Sequence, residues 1–313
     1  MFLTFSVFFI SIAALLAAAK YFTQSAENIG NWIKLPSFVI GIFILGVGTS
    51  LPELISGFIS VQKGYSEIVP GNIIGANISN ILLITGVSVL LNRKNILLHS
   101  NYIYIDLHFL LGAFTYFFVV CYDEKINLTE SIIGILIYIV YASYLTLSEK
   151  KNTLNNTNIL SLSIKRFPFQ SVGILILSVI TIYFSANYTI ESLVKMAEFL
   201  NIPNSIIALT ILSLGTTLPE IAVSYTVIKA GNAQMALGNV LGSCIFNTLV
   251  IPSLISFKSE IIVPSELISF SLPFMTACGL LFYFLTQDKK ISVWEGLLFL
   301  LLYLLFIIQT VVL

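Results

Sequence analysis

The chain has 313 residues, of which 57% are hydrophobic and only 10% are charged, and its mean hydropathy is +0.97. A soluble domain carries about 25% charged residues, so this composition excludes an ordinary cytosolic enzyme. The 15 basic residues equal the 15 acidic ones, which excludes a nucleic-acid binder because such a protein needs a basic surplus. The sequence therefore predicts an integral membrane protein surrounded by the lipid bilayer.

The chain divides into ten apolar stretches, each close to the roughly 20 residues that a membrane-spanning helix requires. The fold class is therefore predicted to be an all-α integral membrane protein with ten transmembrane helices. The polar interval 149–168 is predicted to link two halves, residues 1–148 and 169–313, and it leaves no room for a soluble catalytic domain. The predicted spans are 2–21, 36–62, 66–92, 102–121, 130–148, 170–190, 203–229, 233–257, 266–287 and 291–312.

Positive charge is distributed unevenly between the two sets of loops. Loops that follow odd-numbered spans carry 11 lysines and arginines, and loops that follow even-numbered spans carry 4. Because positively charged loops face the cytoplasm, the odd-numbered loops, including 149–168, are predicted to be cytoplasmic. Both termini then lie outside, and we expect the plasma (cell inner) membrane to hold the protein.

One segment of the chain occurs twice. GTSLPEL at 48–54 returns as GTTLPEI at 215–221, and GNIIGANISN at 71–80 returns as GNVLGSCIFN at 238–247, with the same offset for both motifs. Aligned without gaps, the segments 48–84 and 215–251 share 13 identities. Lipid-facing composition does not reproduce Pro-Glu, Gly-Asn and Asn at fixed spacing. Since each half has an odd number of spans, the second half enters from the opposite side, which is the inverted repeat of secondary transporters.

Glu53 and Glu220 each follow GT(S/T)LP inside a hydrophobic span. A carboxylate at membrane depth costs ~2.5–3.5 kcal/mol on insertion scales and normally has a partner or a ligand. No basic residue lies at the same depth of the four spans that carry the repeat. The pair is therefore predicted to bind a divalent cation, two monovalent cations or two protons. The alternative is that proline merely kinks a packed helix and each glutamate is held protonated.

Neutral oxygens precede each glutamate. Proline removes a hydrogen-bond donor and clashes with the preceding turn, so the helix is predicted to kink or unwind there and to free backbone carbonyls. Carboxylates, carbonyls and hydroxyls together form a ligand set for a hard cation such as Ca²⁺ or Na⁺. The candidate oxygens are the carbonyls of Gly46, Thr49, Ser213 and Thr216 and the hydroxyls of Thr49, Ser50, Thr216 and Thr217.

Asn80 and Asn247 follow their glutamates at the same spacing, behind a GNxxG segment whose small residues allow helices to approach closely. Each amide is either a cation ligand or a hydrogen-bond partner of the glutamate, and both roles stay open. The first asparagine of each segment is interpreted as structural. Ser243 shares a helix face with Asn247, one turn away, whereas Ala76 occupies the matching position in the first copy.

These paired motifs resemble those of the calcium/cation antiporter superfamily, and most of all its sodium/calcium exchanger family in the prokaryotic form with two alpha repeats. The resemblance is close over about 40–90 and 207–257, and elsewhere it rests on span count and topology. It implies ten spans in two inverted halves, and an antiporter in which sodium moving down its gradient drives calcium the other way without ATP. It also implies that spans one and six slide across the remaining helices.

The resemblance implies a shared site for Ca²⁺ and Na⁺. Glu53 and Glu220 would be its central ligands, and the threonine and serine oxygens before them would complete it. Asn80, Asn247 and Ser243 would surround these ligands.

Two positions depart from the family pattern. Many members have aspartate where this chain has Asn247, which removes a titratable group, and Ala76 replaces the usual serine, which removes a hydroxyl. A count of three sodium ions per calcium is therefore not implied. The proton-coupled branch carries a G-N-A-x-E pattern that GTSLPE and GTTLPE do not match, so H⁺-coupled Ca²⁺ antiport or broader cation antiport is the alternative.

Other classes fit the sequence less well. A passive channel usually repeats its pore motif around an axis along the membrane normal, and an intramembrane enzyme would need an HExxH motif or paired aspartates in adjacent spans. The sequence also leaves open the alternative that the protein is a homologue that no longer transports ions. We therefore predict no enzymatic activity, no cofactor, no nucleic-acid partner and no obligate protein partner.

Overall fold

The computed structural model describes residues 2–32, 47–97, 101–153, 168–229 and 233–312, and most of these residues are helical. The elements of the first half are α1 (Phe2–Trp32), α2 (Val47–Thr49), α3 (Leu51–Gln62), α4 (Ile68–Ile78), α5 (Thr85–Asn92), β1 (Ile96–Leu97), α6 (Asn101–Val120), β2 (Lys125–Ile126) and α7 (Leu128–Thr153). The elements of the second half are α8 (Phe169–Leu200), α9 (Asn204–Ile207), α10 (Ser213–Thr216), α11 (Leu218–Lys229), α12 (Ala233–Leu249), α13 (Ile251–Ser256), β3 (Ile261–Ile262), α14 (Leu272–Leu285), β4 (Lys290–Ile291) and α15 (Val293–Val312).

Within the described ranges, eight helical stretches are long and apolar enough to cross a membrane, judged by their length and composition. They correspond to eight of the ten predicted spans. Of the other two predicted spans, 102–121 coincides with the helix α6, and 36–62 begins in residues outside the described ranges. Many large apolar side chains on α7, α8 and α15 are exposed, which fits contact with lipid. The chain is thus a helical, multi-pass membrane protein.

The helices α1 and α8 are longer than predicted. The predicted bounds were 2–21 and 170–190, whereas the helices have 31 and 32 residues. Those bounds were wrong because they ended near the first polar residues, such as Lys20, although lysine and glutamine are good helix formers. At 1.5 Å per residue each helix is roughly 47 Å long, so it must tilt in the bilayer or extend beyond the hydrocarbon core.

The helices α1 and α8 pack extensively against each other. Their facing side chains, including Phe8 and Ile182, join residues of the motif helices, such as Ile59 of α3 and Ile68 of α4, in an apolar cluster that is separate from the larger core. Between the two long helices, the buried Thr189 hydroxyl donates a hydrogen bond to the Ser11 hydroxyl at 3.0 Å. The two helices therefore form a layer that packs on the motif helices through this shared cluster.

The helices that carry the repeated motif are interrupted where the sequence predicts a kink. In the first copy α2 ends at Thr49 and α3 begins at Leu51; in the second copy α10 ends at Thr216 and α11 begins at Leu218. Proline is the second residue of each new helix, where its missing N–H is not needed. The predicted interruption is confirmed in both copies.

Two short antiparallel strand pairs lie at opposite ends of the helix bundle. Ile96 of β1 is opposite Ile291 of β4, and Ile126 of β2 is opposite Ile261 of β3. The helix α6 begins shortly after β1 and ends shortly before β2, so roughly 30 Å of helix separates the pairs. Each pair takes one strand from each half. The number of residues between β1 and β3, their offset along the chain, equals the number between β2 and β4, so β3 and β4 are the second-half counterparts of β1 and β2.

The same offset relates the starts of two helices. The Asn127 side-chain oxygen accepts a hydrogen bond from the Glu130 N–H, and the Glu130 carboxylate accepts one from the Asn127 N–H. This capping box precedes α7, and Ser292 with Glu295 forms the matching box before α15. The correspondence between the halves thus extends past the two motifs that the sequence reveals.

The helix α7 extends into the predicted linker. It continues through 149–153 because glutamate and lysine prolong a helix readily, so the first residues of the linker are helical. Residues 154–167 lie outside the described ranges, and the rest of the loop stays a prediction.

Candidate functional site

The two glutamates occupy matching positions inside the fold. Glu53 lies in the first turn of α3 and Glu220 lies in the first turn of α11, each directly after the interruption. Neither residue exposes more than 1% of its surface. No carboxylate oxygen of either residue has a hydrogen-bond partner among the described residues. The two carboxylates are near enough to repel each other electrostatically.

Each glutamate faces a threonine hydroxyl from the other half. The Thr216 hydroxyl is near Glu53, and the hydroxyls of Thr49 and Ser243 are near Glu220, although none of these contacts has hydrogen-bond geometry. The Thr49 and Ser243 hydroxyl oxygens are 3.4 Å apart. Thr49 and Thr216 occupy matching positions in the two motif copies, and so do Glu53 and Glu220. The centre of the site is therefore close to two-fold symmetric.

The symmetry ends at Ser243. Its counterpart is Ala76, which is fully buried and supplies a methyl group in place of a hydroxyl. Glu220 thus has two hydroxyls nearby, that of Thr49 from the other half and that of Ser243 from its own, and Glu53 has one, that of Thr216. The two half-sites are chemically unequal.

The amides of Asn80 and Asn247 are fully buried beside the repeated helices. Asn80 lies in a π-helical segment, Ser79–Ile84, between α4 and α5, and Asn247 lies in α12. Neither the nitrogen nor the oxygen of either side-chain amide has a hydrogen-bond partner among the described residues. Both amide oxygens are thereby left for a ligand, and π-helical turns are frequent at functional sites.

The remaining candidates differ in their hydrogen bonding. The buried Ser50 hydroxyl has no partner in the described part of the chain. The Ser213 carbonyl accepts hydrogen bonds from the Thr217 N–H at 3.0 Å and the Thr217 hydroxyl at 2.9 Å. The expectation of a free carbonyl at Ser213 was therefore wrong, because one helical turn closes across the interruption. Gly46 lies outside the described residues.

Two glycines allow the motif helices to approach closely. A Cβ atom at Gly75 would lie 2.0 Å from the Leu209 carbonyl oxygen, and one at Gly71 would lie 2.3 Å from the Ser205 carbonyl oxygen. The predicted role of the small residues is thus confirmed at these positions. Asn72, which follows Gly71, accepts a hydrogen bond from the Thr216 hydroxyl at 3.3 Å. This contact agrees with the structural role predicted for that asparagine.

No basic side chain pairs with the two buried carboxylates in the described part of the chain. The ion pairs found there are Lys63–Glu191, at 2.7 Å, and Lys125–Glu260, at 3.1 Å. Lys125 and Glu260 are exposed, and Lys63 follows the end of α3. If ionised, the two glutamates carry a charge near −2 that only cations or protons can offset.

Three buried residues were not anticipated from the sequence. The hydroxyls of Ser56 and Ser224 have no hydrogen-bond partner among the described residues, and the side-chain oxygen of Asn77 also has none. The Asn77 amide nitrogen donates to the Thr248 hydroxyl at 2.8 Å. One signal was available, because each serine lies one helical turn after a glutamate.

Buried polar atoms without a partner are concentrated in one part of the molecule. Across the described ranges there are thirteen such side-chain atoms, and all belong to the two copies of the repeat, 48–84 and 215–251. Polar groups buried without partners are rare elsewhere in proteins and normally require an explanation. The residues that carry them are Ser50, Glu53, Ser56, Asn77, Asn80, Glu220, Ser224, Asn239 and Asn247.

The fold and this site define a multi-pass helical membrane protein built around two uncompensated carboxylates and a set of neutral oxygens. The family model described as "Sodium/calcium exchanger protein" matches residues 3–147 and 170–312. The chain belongs to this family, as the resemblance of its motifs implies.

Two relatives match nearly the whole chain. The sodium/calcium exchanger MaX1 of Methanosarcina acetivorans is 28% identical, and the alignment covers 97% of each chain. The uncharacterized membrane protein MJ0091 of Methanocaldococcus jannaschii is 27% identical over 95% of each chain.

Two solved exchangers have a similar fold. A structure of the sodium-calcium exchanger NCX_Mj is 25% identical and superposes with a TM-score of 0.67 over 97% of each chain. A crystal structure of an H⁺/Ca²⁺ exchanger, CAX, superposes with a TM-score of 0.80 over 97% of this chain and 82% of that chain. Since the second pair is only 16% identical, it shows likeness of fold alone.

Proposed function

We propose that this protein is a secondary active antiporter that exchanges Ca²⁺ for Na⁺ across a membrane, with Glu53 and Glu220 as the central cation ligands. The observation that carries the proposal is the pair of buried carboxylates, without a basic partner in the described part of the chain. Membership of the sodium/calcium exchanger family and the likeness to MaX1 and NCX_Mj support the choice of ions.

The proposed ligand set consists of hard oxygen donors, which suit Ca²⁺ and Na⁺ and not thiophilic metals. Two carboxylates balance one Ca²⁺ or two Na⁺, so the same site can hold either load without a net buried charge. We assign the inner ligands to hydroxyls and amides whose atoms lie beside the glutamates or lack partners. These are Thr49, Ser50, Thr216, Asn80, Asn247 and Ser243.

We further infer that the chain has ten spans in two inverted halves, 1–148 and 169–313, joined by a cytoplasmic linker at 149–168. The strand pairs support this topology, since each joins one strand from each half and the two pairs lie at opposite ends of α6. Both ion pairs join polar segments that the ten-span order assigns to the outer side. The ion pairs thus agree with the ten-span order, and the excess of positive charge in the odd-numbered loops leads us to infer that both termini are outside and that the plasma membrane holds the protein.

Alternating access requires the site to open to one side at a time. In the described conformation both glutamates are buried from solvent. The layer formed by α1 and α8 shares an apolar cluster with the motif helices and packs against them, so that a Cβ atom at Gly215 would lie 2.1 Å from the Ile12 side chain. Movement of this layer would expose the site, as the family resemblance implies.

A proton-coupled Ca²⁺ antiporter is the second candidate. Two protons would neutralise the partnerless carboxylates as completely as two sodium ions. The likeness of fold to an H⁺/Ca²⁺ exchanger is compatible with this candidate. The coupling ion must therefore be measured directly.

The test is calcium uptake into liposomes that contain the purified protein, with sodium inside and none outside. We expect uphill, sodium-dependent uptake that Glu53→Gln and Glu220→Gln each abolish while the protein still folds, since a neutral amide cannot balance the cation charge. Uptake driven only by a proton gradient would favour the second candidate. Either variant exchanging at the wild-type rate would refute the ligand assignment.

A further inference from the structure

Ser56 and Ser224 carry two buried hydroxyls that the ligand set above does not use. Ser56 follows Glu53 by three residues in α3, and Ser224 follows Glu220 by four residues in α11. Residues three or four apart share a helix face, so each serine lies on the face of its glutamate, roughly 5 Å further along the helix. Both serines are no more than 1% exposed, and neither hydroxyl has a partner in the described part of the chain.

Among the described residues, the lack of a partner distinguishes these two serines from most other buried hydroxyls, and the exception, Ser50, is already in the ligand set. The usual partner is a carbonyl one turn earlier in the same helix. The Ser60 hydroxyl donates to the Gly57 carbonyl at 2.8 Å, and the Thr248 hydroxyl donates to the Cys244 carbonyl at 2.7 Å. A buried hydroxyl without a partner destabilises the fold, so an oxygen kept in this state has another use.

The two serines lie on opposite sides of the glutamates. Shortly after α3, the Ser66 hydroxyl accepts a hydrogen bond from the N–H of Ile262 in β3, so α3 points to the end of the bundle that holds β2 and β3. The helix α11 ends at Lys229, and the chain then enters α12. The last residues of α12 lead to β3, so it is the first residues of α12 that contact β1 at the other end of the bundle. The helix α11, which carries Ser224 after Glu220, therefore points to the end that holds β1 and β4.

We propose that Ser56 and Ser224 contact the transported cation on two opposite access routes. Ser56 serves the route between Glu53 and the β2–β3 end, and Ser224 serves the route between Glu220 and the β1–β4 end. A hard cation that leaves the carboxylates loses oxygen ligands before water replaces them, and a hydroxyl one turn away supplies an intermediate ligand. This inference rests on the proposed antiport and adds two residues to it.

The test compares Ser56→Ala and Ser224→Ala in right-side-out and inside-out membrane vesicles, where the calcium concentration for half-maximal transport is measured from each side. We expect each variant to raise that concentration about fivefold from one side only, and the two variants to affect opposite sides. Threonine at either position keeps the hydroxyl and should restore the wild-type value. Ser60→Ala is the matched control, because its hydroxyl is already bonded, and both of its values should stay unchanged.

Thermal unfolding in detergent gives a second measurement that does not depend on transport. Without cations, Ser56→Ala and Ser224→Ala should each raise the Tm by about 2 °C, because an unpaired buried hydroxyl is removed. The Tm increase on adding calcium should be smaller in both variants than in the wild type.

The outcomes separate the two proposals. Wild-type transport with unchanged values for both alanine variants, or equal changes from both sides, would overturn the role of the serines alone. Wild-type protein that moves no calcium under a sodium or a proton gradient would refute the proposed antiport and the serine routes together.

Discussion

Replacing Gly75 by alanine tests how the site is held together. The new Cβ atom would lie 2.0 Å from the Leu209 carbonyl oxygen and 2.7 Å from the Ser213 Cβ atom. Ordinary contact begins near 3.4 Å, so α4 and the helix that carries Leu209 must separate by about 1.4 Å. Overpacking of this kind costs about 3 kcal/mol when the obstacle is backbone. For a chain of this size we expect the Tm to fall by about 6 °C.

The sign of this prediction is informative because helix propensity acts in the opposite direction. Alanine stabilises the middle of a helix by about 0.5–1 kcal/mol relative to glycine. The matched control is Gly173→Ala in α8, an exposed position with open space around it, where the Tm should stay unchanged or rise slightly.

The displacement in Gly75→Ala should also reduce transport. Ser213 begins the helical turn that leads to Thr216 and Glu220, so a shift of about 1.4 Å at Gly75 would reach the second half-site. We expect sodium-dependent calcium uptake to fall more than tenfold, since misplacement by about 1 Å can cost two orders of magnitude in rate. A Gly75→Ala protein with the Tm and uptake of the wild type would refute the close packing on which this reasoning depends.

Three further predictions concern charge and helix starts. Asn247→Asp adds a titratable group beside the site, so proton competition should make calcium uptake fall more steeply as pH decreases; an unchanged pH profile would exclude contact of Asn247 with the ions. Asn127→Ala and Ser292→Ala each remove a capping hydrogen bond and should cost about 1 kcal/mol, measured as a lower Tm without loss of sodium dependence. Glu260 raises the pKa of Lys125, so stabilisation by this ion pair is present at neutral pH and is lost as pH rises through the raised value; Lys125→Met should flatten the alkaline part of the Tm profile.

The sequence predicts the centre of the site well because its chemistry is costly in a membrane. The order Thr-x-x-Pro-Glu, found twice with matching surroundings, is enough to predict an interrupted helix with a glutamate after it, and both interruptions are present. The close helix contact predicted for the glycines of the repeat is present at Gly71 and Gly75, whereas their counterparts Gly238 and Gly242 have open space around them. These features depend on local backbone chemistry, which a single sequence reveals.

Features that depend on three-dimensional contact could not be predicted in the same way. The sequence places Ser213 in the motif, but only the structure shows that its carbonyl is already bonded to Thr217. The sequence places Ser56 and Ser224 one helical turn after a glutamate, but only the structure shows that their hydroxyls have no partner among the described residues. The true lengths of α1 and α8 depend on packing of one helix along the other, which hydropathy does not record.

The exchange of strands between the two halves has a consequence for synthesis of the protein. Ile96 pairs with Ile291 and Ile126 pairs with Ile261, so both strands of the first half have partners that are made only after the central linker. The first half therefore leaves the ribosome with both strand edges unpaired, and each is completed only when its counterpart arrives. Two fragments divided in the central linker should accordingly find each other when produced together, because each holds the missing strand of both pairs.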